Sequence, residues 1–326
     1  MEPLLKVEDL TIAFKEDDKE TVVVDKVSFN VNSGEILCIV GESGCGKSVT
    51  ALSILGLLSP NASVLGGRII YEGKDLLKMT DKEIDRIRGN EMSMIFQDVM
   101  NSLNPVLTIG NQLTEAARIH MGYDKNKAKE YAVSMLKKVG LPDAWAIMKK
   151  YPHMLSGGMQ QRVIIAMALI CRPKLIIADE PTTALDVTIQ LQIMKLLASL
   201  QKEFQMSIIL ITHDIGVVAE LADRVIIMYA GQFMEETSVY QLFDNPAHPY
   251  TKALLNSVPS IYDDEDKKLA SISGTVPERY QDIEGCRFYG RCPYGVPACK
   301  DIQVYSEIKP GHLVRCHRAG KGELLT

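Results

Sequence analysis

Eight residues, Gly41-Glu-Ser-Gly-Cys-Gly-Lys-Ser48, constrain this chain more than any other stretch. They follow the apolar run Ile36–Val40, and Val49, Leu52 and Leu55 come after them at helical spacing. Glycines in this pattern let backbone N–H groups close around phosphate oxygens, lysine neutralises their charge, and the serine hydroxyl can hold Mg²⁺. With a strand before and a helix after, the helix N-terminus points at the phosphates. Gly41, Ser43, Gly44, Cys45, Gly46, Lys47, Ser48 and Val49 are therefore expected to bind a nucleoside triphosphate, with Ser48 also in the Mg²⁺ shell.

Three more apolar runs each end abruptly in a polar residue: Met92–Phe96 before Gln97, Leu175–Ala178 before Asp179, and Ile208–Ile211 before Thr212 and His213. Such runs suit buried, mainly parallel strands, and in open α/β sheets ligands bind just beyond the strands' carboxyl ends. Asp179 then belongs in the Mg²⁺ shell and Glu180 is the carboxylate that orients and polarises water. Neighbours in extended chain point to opposite sides, which separates their roles. Leu4–Val31 alternates and is interrupted by the charged Lys15–Glu20, so it reads as antiparallel strands. The segment from Asp98 to Tyr151 lacks strand runs and carries helical periodicity in Lys127–Val139, which reads as a helical insertion. After Pro246 proline, glycine and charge increase, Tyr262–Lys268 is a charged run, and four cysteines follow, so a second unit is expected to begin near Pro259.

Composition removes most competing classes. The chain has 326 residues, 46% hydrophobic and 24% charged, which excludes a disordered, collagen-like or disulfide-knot protein. Its longest apolar run, Val163–Cys171, lies between Arg162 and Arg172 and falls far short of the ~20 residues needed to cross a bilayer. The N-terminus carries no apolar secretory signal, so a cytoplasmic protein with cysteines in a reducing compartment is expected. A net charge of −5 provides no global field to draw in nucleic acid.

A second glycine motif, Leu155-Ser-Gly-Gly-Met-Gln160, opens another helical stretch whose first turn would present N–H groups to an anion. The chain's own nucleotide already has a phosphate cradle, so Ser156, Gly157 and Gly158 point to a nucleotide held by another copy. In this order, the Gly41–Ser48 loop, Gln97, Leu155–Gln160, Asp179-Glu180, Ala184-Leu185-Asp186 and His213 resemble the ATP-binding subunits of ABC transporters over residues 1 to about 258. The resemblance implies a P-loop (RecA-like) ABC ATPase core with an antiparallel β subdomain and a helical subdomain at about 98–159. It also implies roles by position. Gln97 would sense Mg²⁺ and the γ-phosphate, His213 would contact that phosphate, and Asp186 would communicate across the dimer. Phe14 would stack on adenine, although its alternation with Ile12 equally suits the core. Lys47, Gln97, Glu180 and His213 are thus the expected catalytic set.

Pro246-Ala-His-Pro-Tyr-Thr-Lys-Ala-Leu-Leu255 and the cysteine-bearing tail resemble the ATP-binding subunits of dipeptide and oligopeptide importers. Gly46–Leu58 and Phe96–Pro105 look more like the D-type than the F-type subunit of that family. This implies a peripheral protein on the cytoplasmic face of the membrane, paired with an F-type ATPase, two permease subunits and, indirectly, an external peptide-binding protein. Relatives also import nickel and other solutes; a soluble ABC ATPase acting on ribosomes or DNA is the alternative from another class. Cys286, Cys292, Cys299 and Cys316 are spaced more widely than the paired cysteines of zinc ribbons, and four thiolates suit a [4Fe–4S] cluster. The family resemblance implies such a cluster in residues 259–326, a small loop-rich extension. Zinc, with His312 or His317 as substitute ligands, and free thiols remain open. Cys45 reads as a small P-loop residue, and Cys38 and Cys171 as core.

Overall fold

The phosphate loop follows a five-residue strand buried along its whole length, as its unbroken apolar run requires. In the computed structural model, residues 2–16, 19–98, 102–183, 185–257, 272–277 and 279–322 are described. The expected boundary near Pro259, the Tyr262–Lys268 run, Ala184 and Val99–Asn101 lie outside them. The chain divides into two units. One, the P-loop unit, holds Leu5–Asn30, Leu37–Lys74 and Thr212–Thr326; the other, the helical unit, holds Met1–Leu4, Val31–Ile36 and Asp75–Ile211.

In the P-loop unit, β1 (Leu5–Glu16), β2 (Lys19–Val31), β4 (Ala62–Tyr71) and β5 (Lys74–Asp75) form a sheet ordered β2-β1-β4-β5. β1 and β4 run antiparallel from Leu5 opposite Tyr71 to Phe14 opposite Ala62. The buried strand β3 (Ile36–Val40) lies parallel to β9 (Arg224–Tyr229), which turns back into the antiparallel β10 (Gln232–Ser238). Ala230 and Gly231 make that turn with φ of 47° and 79°, the left-handed pair that matches the twist of a hairpin. The cysteine-bearing tail joins the same sheet. β12 (His312–Val314) pairs with β10 through Glu235 opposite Val314 and Glu236 opposite Leu313, and β11 (Ser306–Lys309) pairs with β12. Helices α1 (Lys47–Ile54), α8 (Ile215–Leu221), α9 (Val239–Asp244), α10 (Pro249–Asn256) and α11 (His317–Gly320) belong to this unit.

In the helical unit, β6 (Met92–Ile95), β7 (Leu175–Asp179) and β8 (Ser207–Thr212) are parallel, with Ile95 beside Ala178 and Asp179 beside Ile211. Short α2 (Asp81–Ile87) opens with a Thr80/Glu83 capping box. The expected helical stretch contains α3 (Ile109–Met121), α4 (Lys125–Lys138) and the short α5 (Ala144–Ile147). Thr108 caps α3 by accepting from Asn111 N–H, and Asp124 caps α4 by accepting from Asn126 and Lys127 N–H. Next come α6 (Gly157–Leu169) and α7 (Val187–Phe204). Among the described residues no helix is long and apolar enough to cross a membrane.

Candidate nucleotide site

β3 delivers the chain to Gly41, where a Cβ would stand 2.1 Å from the Met228 carbonyl oxygen of β9. Glycine is the one residue that fits so close to a neighbouring backbone. The loop then passes through left-handed Gly44 (φ 77°) and Gly46 (φ 104°), and Gly46 caps α1. Ser43 and Gly44 lie exposed at its crest, and Ser48 and Val49 occupy the first turn of α1. Lys47 is only 6% exposed; its Nζ donates to Gly41 O at 2.8 Å and Glu42 O at 3.0 Å. The helix read from Val49, Leu52 and Leu55 is present; its buried residues are Lys47, Thr50, Ala51, Ser53 and Ile54, Leu55 is buried at its C-cap, and Val49 and Leu52 are half-buried. Cys45 is buried, and burial pushes its thiol pKa up against the opposing pull of Lys47, so it packs as a neutral side chain. Cys38 is likewise core, but Cys171, read as core, is half-buried in the turn just past the helix Gly157–Leu169, its thiol 3.8 Å from the Ala116 carbonyl.

The carboxylates come from the helical unit. Asp179 ends β7 and is buried. Glu180 is not extended: its φ of 43° is left-handed, a conformation costly for a side chain with a Cβ. This turn, and not strand alternation, parts it from Asp179. Glu180 N–H donates to Ile211 O of β8 at 2.9 Å, while its Oε2 accepts from Gln97 Nε2 and from Thr183 Oγ1, each at 3.1 Å. Gln97 and Glu180, 83 positions apart, are thus brought together, because β6 and β7 are adjacent and end at the same level. Thr183 was not singled out from the sequence; a hydroxyl three residues beyond the strand-end Glu180 is the signal that would have found it.

The second glycine motif also lies in the helical unit. Ser156 occupies the cap position of α6, and Gly157 and Gly158 form its first turn. A Cβ on Gly158 would meet Ile189 Cγ2 at 2.9 Å. Asp186 caps α7, accepting from Ile189 N–H at 3.0 Å. Ser156, Gly157, Gly158, Leu185, Asp186 and Ile189 line one open pocket. His213 belongs to the P-loop unit and is exposed, just before Asp214, whose carboxylate caps α8 through Gly216 and Val217 N–H. Phe14 is half-buried on β1 and is absent from the core that takes Ile12 and Ala13.

The four tail cysteines converge. Cys286, Cys292, Cys299 and Cys316 line one pocket together with His248 and His317. Burial, with the other three cysteines adding to it, pushes the Cys286 thiol up to about 12, and burial also raises Cys292 and Cys316. His312, read as a possible zinc ligand, is elsewhere: it is buried with Nε2 2.7 Å from Glu235 Oε1. Among the described residues no three His, Cys, Asp or Glu side chains are grouped to hold a single metal ion. His248 is buried, its Nδ1 accepts from Tyr250 N–H at 3.0 Å, and its Nε2 has no hydrogen-bond partner.

Comparison with known proteins places this geometry. Residues 24–183 match the ABC transporter family, and residues 234–299 match the C-terminal region of oligopeptide/dipeptide transporters. The oligopeptide transport ATP-binding protein AppD of Bacillus subtilis is 51% identical over 318 residues, 97% of each chain. The dipeptide transport ATP-binding protein DppD of Escherichia coli is 45% identical over 315 residues, 96% of each chain. Among solved structures, the dimeric cassette MJ0796 bound to ADP and Pi superposes with a TM-score of 0.64 at 29% identity, covering 72% of this chain and 98% of that one. The chain belongs to the ABC transporter ATPases, within the group of dipeptide and oligopeptide transport ATP-binding proteins. Its fold is the ABC cassette, and ATP hydrolysis is the activity of its class.

Proposed function

We propose that this chain is the ATP-hydrolysing subunit of an importer for dipeptides or oligopeptides, working at the cytoplasmic face of the membrane. The observation that carries the catalytic part is the Glu180 carboxylate held by Gln97 and Thr183 at the end of buried strands. Relatives named for dipeptide and oligopeptide transport, matched over nearly their whole length, support the solute class.

The loop fits a triphosphate: left-handed Gly44 and Gly46 lead into a helix start, and Lys47 is held over the loop's own carbonyls. Gly41, Ser43, Gly44, Cys45, Gly46 and Val49 line the phosphates, Lys47 neutralises their charge, and Phe14 stacks on adenine. Ser48, Asp179 and Gln97 would hold Mg²⁺, which would supply positive charge to the phosphates. Glu180 polarises the attacking water, and His213 contacts the γ-phosphate. Catalysis of this kind is mostly positioning and electrostatics, which is why Glu180 is bound on two sides. ABC cassettes work as dimers with transmembrane permease subunits. Ser156, Gly157 and Gly158 serve the nucleotide of an F-type partner, with Asp186 at the dimer contact, and two permeases and an external peptide-binding protein complete the importer.

Residues 1–258 carry this chemistry, with the helical subdomain at about 98–159, and residues 259–326 carry the cysteines. A [4Fe–4S] cluster fits those cysteines better than zinc. The four share one pocket, and a cluster would bind each cysteine to a different iron. The orphan Nε2–H of buried His248 at the same pocket suits a sulfur acceptor. Cys286, Cys292, Cys299 and Cys316 would hold the cluster, which would staple a segment with little apolar core of its own. An absorbance spectrum with iron and sulfide analysis checks this; zinc without iron would overturn it.

The test of function is uptake of labelled dipeptides, longer peptides and nickel in cells lacking this gene, complemented with wild type or Glu180→Gln. Peptide uptake restored by wild type alone is expected. Restoration of nickel uptake alone would refute the peptide assignment.

A further inference from the structure

Glu42, the second residue of the P-loop, is gripped from the cysteine-bearing tail. Arg291 Nη1 donates to Glu42 Oε1 at 3.1 Å and Oε2 at 3.0 Å. The arginine is only 8% exposed and is itself fixed: Nε donates to Ser273 O at 2.9 Å, Nη2 to Gly274 O at 3.1 Å, and Nη1 also reaches Tyr229 Oη at 3.3 Å. From α10, the buried Tyr250 accepts Glu42 N–H at 3.0 Å. A second grip falls on Cys45, whose carbonyl accepts Gly231 N–H at 2.9 Å. The Ala230–Gly231 turn is in turn held by Arg287, which donates to Ala230 O and pairs with Asp25, both at 2.6 Å.

These anchors bracket the exposed crest, Ser43 and Gly44. A glycine-rich loop has many conformations to lose, and binding that must first order it is weakened accordingly. Anchors at its second and fifth residues remove that cost before nucleotide arrives. Arg287 directly follows Cys286, and Arg291 directly precedes Cys292, so the segment that carries the cysteines also positions both guanidiniums. Arg291 is well suited to this: its planar fork reaches a carboxylate, a phenol and three carbonyls at once, which an ammonium cannot.

We propose that the tail presets the P-loop for ATP, with Arg291 as a positioning residue acting through Glu42 and Arg287 supporting it through the Ala230–Gly231 turn. This rests on the reading of Gly41–Ser48 as the ATP site. The experiment titrates full-length protein with Mg-ATP and measures KM and kcat in the assembled transporter, for wild type, Arg291→Ala, Glu42→Ala and the double variant. ATP affinity is expected to fall roughly tenfold in Arg291→Ala, with KM rising in step and kcat at saturating ATP within about threefold. The double variant should be no weaker than the worse single one, because both remove the same contact. Arg291→Lys should fall between wild type and Arg291→Ala; it also carries the comparison if the alanine variant does not fold. Affinity within twofold of wild type in Arg291→Ala, or losses that multiply in the double variant, would overturn the proposal. Lys47→Ala separates the two levels. If it abolishes ATP binding while Arg291→Ala does not weaken it, only the clamp fails; if it leaves binding intact, the nucleotide reading fails with it.

Discussion

Replacing Glu180 by glutamine separates the carboxylate's chemistry from its structural contacts. The hydrogen bonds from Gln97 Nε2 and Thr183 Oγ1 land on Oε2. A glutamine amide can place its carbonyl oxygen at that position and keep the two bonds, while an NH₂ group replaces Oε1. The amide cannot take a proton from water, so the base is lost while the bonds from Gln97 and Thr183 are kept. Removing a general base costs about 10²–10⁴-fold in rate, or about 2.7–5.4 kcal/mol of transition-state stabilisation at ~1.36 kcal/mol per tenfold. Stability should move by less than ~0.5 kcal/mol, because neither the left-handed backbone nor the bond to Ile211 is altered. Phosphate release by the assembled transporter, ATP binding and a thermal melt report the three quantities. The expected pattern is a slow enzyme with wild-type melting and ATP affinity, trapped as a closed dimer. Wild-type hydrolysis would refute the role of Glu180. A large drop in melting temperature would refute the argument that the bonds from Gln97 and Thr183 survive the substitution.

Other outcomes follow from the same geometry. Lys47→Ala removes a buried cation from the loop together with its bonds to Gly41 O and Glu42 O, and should weaken ATP binding at least about tenfold by titration; unchanged affinity counts against the P-loop assignment. Gly41→Ala drives a methyl group to 2.1 Å from Met228 O, so the cost should reach ~1–3 kcal/mol or more in a denaturant melt, and a neutral result would mean β9 does not press on the loop. Glu235 is buried; burial raises its pKa, but the bonds to His312 and from the N–H groups of Ala247 and His248 win and hold it below the usual 4.5. A depressed carboxylate contributes stability above its unfolded pKa and loses it as pH falls through the folded one. Glu235→Ala should therefore cost about 3 kcal/mol at neutral pH and flatten the loss of stability below pH ~4.5; parallel pH profiles for the two proteins would count against it.

Much of the site was legible along the chain because each part is a local pattern. Gln97, Asp179 and His213 stand where an apolar run meets a polar residue, and the Gly41–Ser48 loop announces its own backbone conformation through glycine. Glu180 was assigned correctly to the end of β7, but its left-handed φ was invisible, since the bond from its N–H to Ile211 of a neighbouring strand is a tertiary contact. β9 and β10 were not read as strands. Arg224–Tyr229 does carry an apolar run ahead of Ala-Gly, but β10 contains Glu235 and Glu236, both buried, and a pair of glutamates in a row argues against a core strand. What makes them tolerable arrives from far away: His312 from β12 for Glu235, and Arg224 with Tyr305 for Glu236.

The same division holds for the chain as a whole. Sequence by itself determined the class of chemistry, a phosphate cradle with two acidic residues at a strand end, because spacing within a loop or at a strand end is set by neighbouring residues. Tertiary structure decided what holds that cradle. Arg291 reaches Glu42 across 249 positions, and four cysteines with two histidines converge on one pocket. Such contacts obey no local period; they exist because β12 closes onto β10 and carries the tail beside the P-loop within one unit.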